Sequence, residues 1–273
     1  MNKHILSSFR NAHRNFAVST LWDIFKFLLL VTFLTWLMVR GTGRLGYNWQ
    51  WYRVPRYIFS FDNGYLAAGP LLEGLVLTLK ITAVSLILAF IFGLVTAILR
   101  LSQSPVARVL ARGYLEFIRN TPLLVQIFFL YFVLAPVLDI TRFTSAVLAL
   151  SLFEGAYASE IFRAGILSIH RGQWEAAYST GLSKFHTYRF IVLPQAIRHM
   201  LPPLTSQAIS LIKDSALVST IAIYDLTMQA QAIISETFLA FEIWFTVAAI
   251  YLFITITLSF IVGILENRLR VPM

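Results

Sequence analysis

The residues that could carry catalysis or bind a metal are few and scattered along this chain. The sequence has no cysteine, which excludes a disulfide framework and a thiolate metal site. Glu154 and Glu160 are six residues apart and would face different directions on a helix, so we interpret both as helix-end residues. The histidines are far apart, and none forms a metal-binding helix pair: His4, His13, His170, His186 and His199. The sequence therefore indicates no catalytic site and no metal site.

Motifs that hold nucleotide phosphates are not convincing either. The pattern G-x-x-x-x-G-K-[ST] occurs nowhere in the chain. The residues from Gly41 to Gly46 read GTGRLG and match G-x-G-x-x-G formally. They follow an apolar stretch and precede an aromatic segment, whereas a dinucleotide site needs this pattern between a strand and a helix. We therefore expect no nucleotide to bind here, and any use of ATP would need a partner protein.

Two adjacent charged residues, Lys213 and Asp214, interrupt a largely apolar stretch. Neighbouring residues on a helix do not face each other, so the two charges do not simply neutralise one another. In a bilayer each charge near the centre costs about 2.5–3.5 kcal/mol on insertion scales. If this stretch lies in a membrane, the pair is therefore a functional candidate.

The composition is that of an integral membrane protein. Of the 273 residues, 58% are hydrophobic and 13% are charged, and the mean hydropathy is +0.73. A soluble domain of this length carries about twice that share of charge. The net charge of +9 comes mostly from loops between apolar stretches, which suits membrane topology and anionic lipid rather than nucleic acid. We expect no cleavable signal peptide, because a long polar segment precedes the first apolar stretch.

Six apolar stretches predict six transmembrane helices, because helices satisfy their own backbone hydrogen bonds in lipid and about 20 residues cross the bilayer core. They cover residues 27–39, 81–99, 121–138, 143–159, 199–224 and 243–265. The first extends back across Asp23 and Lys26, and Glu154 interrupts the fourth. In the second, small residues recur every four positions and predict close helix packing: Ser85, Ala89, Gly93 and Ala97.

The basic residues predict the orientation of these helices. With the N-terminus placed inside, the inner segments hold fifteen Lys and Arg residues and the outer segments hold five. This asymmetry places both termini in the cytoplasm. The outer segment from Arg40 to Gly69 is rich in Trp and Tyr, so we expect it to lie along the outer membrane interface.

The segment of residues 172–194 is a basic, polar stretch between apolar ones, and this orientation places it in the cytoplasm. We expect Gly172 and Gln173 to break the chain before a short helix. Glu175 would then occupy the first turn, where the helix dipole favours an anion. Gly181 can end the helix in the left-handed conformation.

This short helix has an aromatic face. Four residues at helical spacing are expected to share it: Trp174, Ala177, Tyr178 and Gly181. Such a helix can lie in a groove on another protein. For Trp174 and Tyr178 alone, a position at the lipid headgroups is an equally good interpretation.

The same segment resembles a motif of a known protein family. Its sequence EAAYSTGLSKFHTYRFIVLP is similar to the EAA loop in permease subunits of bacterial ATP-binding-cassette (ABC) importers. The pattern is matched by Glu175, Ala176, Ala177, Gly181, Ile191, Leu193 and Pro194. In that family the loop docks a cytoplasmic ATPase and transmits its motion to the membrane helices. The resemblance therefore implies an ATPase-coupling loop at residues 172–194, in which Trp174 and Tyr178 take part.

Other stretches resemble one branch of the family, the permeases for polar amino acids. They read RNTPLLVQIFFLYF, EGAYASEIFRAGI, LPQAIRHMLPPL and LIKDSALVSTI, and the similarity covers residues 71–265. One departure is Ala216, where the branch usually has Ser after a Thr and this chain has Ser215 followed by Ala216. The resemblance implies an all-α membrane protein with the type I ABC importer permease fold and six transmembrane helices. Residues 1–70 would hold the N-terminal segment, the first helix and the outer loop, and residues 71–273 the permease domain.

The implied function is that of a membrane-spanning permease subunit, which carries a polar amino acid across the bacterial inner membrane. The implied partners are a dimer of ATPase subunits that binds ATP and Mg, a second permease subunit, identical or homologous, and a periplasmic amino-acid-binding protein. Membrane lipids are expected to contact this chain, which would hold no cofactor and bind no nucleic acid. The alternative is a secondary transporter driven by an ion gradient, which should lack a full coupling loop. A membrane enzyme ranks third, because no paired catalytic groups occur.

Two roles remain open for the charged pair. In one, the Lys213 ammonium meets the carboxylate of the transported amino acid and Asp214 meets its amino group. In the other, each charge pairs across the interface with the second permease and holds a gate. A transported amino acid must also leave, so tight capture would be counterproductive. We therefore favour the gate.

Overall fold

The computed structural model of the protein describes residues 22–41, 43, 46–62 and 65–269. The chain divides into two compact units, residues 1–50 and residues 51–273. The expected cytoplasmic N-terminal segment, with His4 and His13, lies outside the described residues, and so does the C-terminal end after residue 269. The same holds for residues 42, 44 and 45 of the GTGRLG sequence.

The first unit contains helix α1, Trp22–Gly41, which is 20 residues long and apolar enough to cross a membrane. It extends back across Asp23 and Lys26, as the sequence predicted. Lys26 Nζ lies 3.3 Å from Asp23 Oδ1, one turn away on the same helix. The two charges thus pair along the surface of the helix.

The second unit begins with short elements. A 3-10 turn, Trp51–Arg53, and helix α2, Pro55–Ile58, lead into strands β1, Phe59–Asp62, and β2, Tyr65–Ala68. The strands pair in antiparallel fashion, with Phe59 opposite Ala68. The aromatic segment thus contains an ordered strand pair that its composition alone did not indicate.

Helix α3, Pro70–Leu101, packs along helix α7, Arg142–Leu167. Pro70 stands in the first turn, where a backbone N–H has no partner within the helix. The predicted stripe of small residues is buried throughout: Ser85, Ala89, Gly93 and Ala97. A Cβ atom at Gly93 would lie 2.8 Å from Cβ of Ala158 on α7. The prediction of close helix packing at this stripe is therefore confirmed.

A helix that the apolar pattern did not indicate precedes the third predicted span. Helix α4 covers Pro105–Arg119, and Ser104 Oγ caps it by accepting a hydrogen bond from the Ala107 N–H at 3.4 Å. The chain then turns by 105° into a second helical segment. That segment consists of α5, Leu123–Phe128, a π-helical turn, Phe129–Leu134, and α6, Ala135–Leu138.

After α7 the chain forms two short helices and a long bent pair. These are α8, Arg171–Ser179, and α9, Lys184–Thr187, followed by a π-helical turn, Tyr188–Val192, α10, Leu193–Asp214, a 3-10 segment, Ser215–Ile221, and α11, Leu226–Thr237. The fifth predicted span therefore belongs to a longer element, which bends by 49° before α11. Ala222 has a left-handed backbone with φ 56°, and Asp225 caps α11 by accepting the Met228 N–H at 2.8 Å. These two residues break the helix where the sequence predicted only the end of a span.

Helix α12, Ala240–Leu269, matches the sixth predicted span. The largest buried cluster lies where α3, α5, α7 and α10 meet, and it contains Ile81, Ile127, Leu150 and Leu211. The described residues hold four helices long and apolar enough to cross a membrane, or up to six if each of two bent pairs counts as one span. The architecture thus accommodates the six predicted spans.

Candidate functional site

Helix α8 starts earlier than the sequence predicted. Nδ1 of His170 accepts a hydrogen bond from the Gly172 N–H at 3.1 Å and caps the helix, which begins at Arg171. The expected break at Gly172 and Gln173 is therefore wrong, because both residues lie inside the helix. The expected position of Glu175 in the first turn is also wrong, since this start places it in the second turn.

The end of α8 follows the prediction. Gly181 has φ +80°, in the left-handed region that favours glycine. Its N–H donates to the Tyr178 carbonyl at 3.0 Å, and the Leu182 N–H donates to the Ala177 carbonyl at 3.1 Å. Together these bonds form a Schellman motif, which satisfies carbonyl groups at the helix end and turns the chain sharply.

The residues expected on one face of α8 have different surroundings. Ala177 is buried, and the half-buried ring of Trp174 meets the ring of Tyr188 edge-on, with 5.1 Å between centroids. Tyr178 is 47% exposed, and Gly181 is exposed as well. Trp174 and Tyr178 stand one turn apart on the same side of α8, as expected, but they differ in how deeply they are buried. Trp174 holds α8 to its own chain, and Tyr178 points outward.

We call the exposed predicted residues of α8 and its terminal turn the coupling surface: Glu175, Ala176, Tyr178 and Gly181. A Cβ atom at Gly181 would meet nothing within 4 Å, so this part of the surface is open. The Tyr178 ring, the Glu175 carboxylate and the glycine turn at Gly181 together form a surface that another protein can contact.

The remainder of the predicted loop is mostly helical. Ser183 Oγ caps α9 by accepting the His186 N–H at 3.4 Å, so residues 180–183 alone separate α8 from α9. Pro194 does not end the segment, because it lies in the helix that continues through α10. Proline has no N–H for the carbonyl four residues back, which explains the π-helical turn Tyr188–Val192 before it. Ile191 is half-buried, and Leu193 and Pro194 are exposed.

One apolar cluster joins α8 and α10 to α7. It contains Ala158, Ile166, Ile169, Val192, Ala196, Met200 and Leu204, and Trp174 and Tyr188 pack against it. Met200 fills the space beside Gly165 of α7, where a larger residue would overlap with it. Because packed interiors are stiff, these contacts fix the position of α8 relative to α7 and α10.

The charged pair stands at the end of α10. Lys213 is exposed on the surface of this chain, whereas Asp214 is half-buried and neighbours the carboxyl group of Glu154. Glu154 is 3% exposed and accepts a hydrogen bond from Gln207 Nε2 at 2.9 Å. The expected helix-end position of Glu154 is therefore wrong, because it lies inside the bundle near the middle of α7.

A second polar cluster surrounds Glu160. Its carboxylate pairs with the guanidinium groups of Arg100, Arg119 and Arg163, at 3.3 Å for Arg119 and 3.2 Å for Arg163. The cluster ties α3, α4 and α7 together. Arg163 is three positions from Glu160, but the partners on other helices stand far apart in the chain: 53 positions for Glu154 and Gln207, and 60 for Arg100 and Glu160. The sequence therefore did not reveal either cluster.

The described residues contain no group of three or more His, Asp or Glu side chains that could hold a metal ion.

Residues 89–271 match the family model described as "Binding-protein-dependent transport system inner membrane component". The chain belongs to this family. The matching region includes the coupling surface, the apolar cluster beneath it and the charged pair.

Several similar proteins are named as permease proteins of transport systems. The glutamine transport system permease protein GlnP of Escherichia coli (strain K12) is 43% identical over 216 residues, which are 78% of this chain and 99% of the relative. The probable glutamine ABC transporter permease protein GlnP of Bacillus subtilis (strain 168) is 41% identical over 218 residues, 78% and 98% of the two chains. The L-cystine transport system permease protein TcyB of the same organism is 42% identical over 204 residues, 73% and 87%.

Solved structures show the fold of this inner membrane component. A crystal structure of an amino acid ABC transporter with histidines has a TM-score of 0.69 and 38% identity, covering 73% of this chain and 94% of that chain. An inward-facing MetNI methionine ABC transporter has a TM-score of 0.61 at 18% identity, covering 74% and 96%. The predicted type I ABC importer permease fold and the predicted family are therefore confirmed. The protein is a multi-pass inner membrane permease subunit and not an enzyme, and ATP hydrolysis belongs to a separate partner.

Proposed function

We propose that this permease imports a polar amino acid across the inner membrane, driven by ATP hydrolysis on a partner. The observation that carries this proposal is the 43% identity to a glutamine permease over 78% of the chain. The L-cystine permease, 42% identical, carries a different amino acid by its name. The comparison therefore supports a class of polar amino acids rather than one substrate.

The coupling surface is the proposed docking site of the ATPase. The exposure of Glu175, Ala176 and Tyr178 supports this role, since a partner can reach them. When the ATPase pair closes with its bound ATP and Mg, it would push on α8. The contact of Trp174 with Tyr188 and the apolar cluster would then carry that displacement into α7 and α10, turning the pathway outward.

The complete importer would contain two permease subunits, identical or homologous, two ATPase subunits and a periplasmic binding protein. The basic asymmetry supports cytoplasmic N- and C-termini, with residues 172–194 on the same side as the ATPase. In this arrangement residues 71–273 form the permease domain, and residues 1–70 supply a further membrane helix and the outer segment.

The charged pair is proposed to act at a gate between the two permease subunits. Lys213 is exposed on the surface of the single chain, so its ammonium group is available to a second permease. Asp214 is held on its own chain beside Glu154. Lys213 faces outward, whereas Asp214 is held by its own chain. This arrangement suits a contact of Lys213 with a second permease better than binding of one zwitterionic amino acid by both residues.

Uptake of labelled glutamine into proteoliposomes tests the proposal. The vesicles contain the permease, the ATPase and the binding protein, with ATP on the ATPase side. We expect uptake that requires ATP and continues when ionophores remove all ion gradients. Uptake that persists without ATP and stops with the ionophores would show a secondary transporter instead.

A further inference from the structure

Helix α4 presents three different faces, and two of them are exposed. Its buried face contains Ala111, Leu115 and Ile118, and the last two pack against Ala156 of α7. The second face is apolar and 62% to 68% exposed: Val106, Val109, Leu110 and Phe117. The third face is a basic stripe along the helix: Arg108, Arg112 and Arg119. A helix with an exposed apolar face next to a basic one is typical of a membrane interface.

The direction of α4 is fixed by hydrogen bonds at the corner that follows it. The buried Gln126 side chain donates from Nε2 to the Ile118 carbonyl at 2.8 Å and to the Thr121 carbonyl at 3.0 Å. Arg119 is tied to Glu160 of α7 at 3.3 Å. The 105° turn into the α5–α6 segment is thereby held on both sides. The sequence predicts a membrane span at residues 121–138, which the α5–α6 segment matches. If that segment crosses the membrane, a helix at 105° to it lies close to the membrane plane.

The charge around α4 is positive. Glu160 neutralises one of the three guanidinium groups around it, so that cluster keeps an excess of two positive charges. Arg108 and Arg112 add two exposed charges one turn apart, about 6 Å along the helix axis. Two arginines at this spacing can donate several hydrogen bonds to the same phosphate group.

Besides Glu160, which pairs with Arg119, a second acidic residue lies near the stripe. Glu116 follows Arg112 by one turn, and its carboxylate accepts a hydrogen bond from Asn120 Nδ2 at 2.9 Å. This bond directs the carboxylate toward the corner after α4. Arg108 and Arg112 therefore face a region in which positive charge dominates.

We propose that α4 is an interfacial helix that binds an anionic phospholipid. The exposed apolar face enters the acyl region of the leaflet, and Arg108 and Arg112 bind the phosphate of the headgroup. The charge selects anionic over zwitterionic headgroups. This site is independent of the transported amino acid and of the coupling surface.

Native mass spectrometry of the full-length permease, titrated with phosphatidylglycerol or phosphatidylcholine, tests the site. Each arginine near an anionic lipid contributes about 1 kcal/mol, so Arg108→Gln with Arg112→Gln should weaken phosphatidylglycerol binding by about 30-fold. Phosphatidylcholine, whose phosphate is balanced by its choline cation, should lose much less affinity. The charge-matched control is Arg56→Gln with Arg142→Gln, two exposed arginines away from α4, which should bind phosphatidylglycerol as the unaltered protein does.

Several results of this titration would overturn the proposal. One is unchanged phosphatidylglycerol affinity in the α4 variant, and another is an equal loss in the control. Displacement of bound lipid by dissolved glycerol phosphate would show a site for a free phosphate rather than for a lipid. A changed number of permease copies in the α4 variant would show that the face contacts a second copy.

Spin labels test the apolar face separately, and the absence of native cysteine makes single labelling simple. Val109→Cys is placed on α4, and the matched control Phe185→Cys is on α9, with 66% and 70% exposure of the native side chains. In phosphatidylglycerol-containing liposomes, the label at 109 should be more accessible to oxygen than to a water-soluble nickel complex. The label at 185 should show the reverse order. Greater access of nickel than of oxygen at 109, or exclusion of both, contradicts insertion into lipid.

Discussion

At the residue scale, Gly181 shapes the coupling surface through its backbone. We expect Gly181→Asp to leave the protein in the membrane but to reduce uptake and copurification of the ATPase. A Cβ atom there meets nothing within 4 Å, and a left-handed non-glycine residue costs about 1–2 kcal/mol, which is too little to unfold the chain. The new carboxylate, however, stands where the ATPase is proposed to dock. Transport and pull-down assays measure both effects.

Gln103→Asp is the control for this substitution, because it adds the same charge at an exposed position between α3 and α4. It should transport normally. Normal uptake by the Gly181→Asp variant would contradict the proposed role of this turn in coupling.

Lys213 is the second residue with a specific test. Lys213→Met should reduce transport and weaken assembly or coupling, without changing which amino acids are accepted. The reason is the proposed pairing of its ammonium with the second permease. Lys80→Met serves as the control, since Lys80 is an exposed lysine of α3. A variant that assembles and couples normally, yet shifts preference among amino acids of different charge, would assign the pair to the substrate path.

At the element scale, α8 combines an anchor and a docking surface, and two substitutions separate them. Trp174→Ala removes a half-buried ring from its contact with Tyr188 and should lower the free energy of unfolding by about 2–3 kcal/mol. Tyr178→Ala removes an exposed ring and should change it by at most about 0.5 kcal/mol. Both substitutions should impair coupling to the ATPase. Trp174→Ala would do so by loosening α8, and Tyr178→Ala by weakening the contact with the ATPase.

Thermal unfolding in detergent and ATPase pull-down distinguish these cases. Tyr178→Ala should be as stable as the unaltered permease but retain less ATPase. Equal destabilisation by both substitutions would mean that α8 has no separate outward face.

The elements show what the sequence could and could not predict. The stripe at Ser85 to Ala97 and the turn at Gly181 were predictable, because small side chains and left-handed glycine act locally. The start of α8 was missed, because the cap comes from His170, outside the preferred set of capping residues. The inward direction of Trp174 was missed because its partner Tyr188 lies after a turn. Helix α4 was missed because its apolar residues are divided between a buried and an exposed face.

At the scale of the whole molecule, the family and fold were predictable from one loop pattern and the apolar stretches. The polar contacts between helices were not, since Glu154 with Gln207 and Glu160 with Arg100 join residues far apart in sequence. The break between α10 and α11 was also hidden, because Ala222 in a left-handed conformation leaves no signature in the sequence.

The orientation of the molecule is tested with single cysteines in the cysteine-free chain. Lys184→Cys and Trp49→Cys are treated with an impermeant thiol reagent in intact cells. We expect labelling at 49 and protection at 184 until the membrane is opened, because the basic residues favour cytoplasmic termini. Labelling at 184 with protection at 49 would show that the chain has the opposite orientation in the membrane.

The most direct test of the central claim, that the coupling surface docks the ATPase, is a photo-crosslink from Tyr178. A benzophenone amino acid replaces Tyr178 in cells that express the whole importer, and the same replacement at Val137, which is 77% exposed on α6, is the control. We expect a covalent adduct between the permease and the ATPase subunit at 178 and none at 137. No ATPase adduct at 178, or an equal yield at both positions, would contradict it.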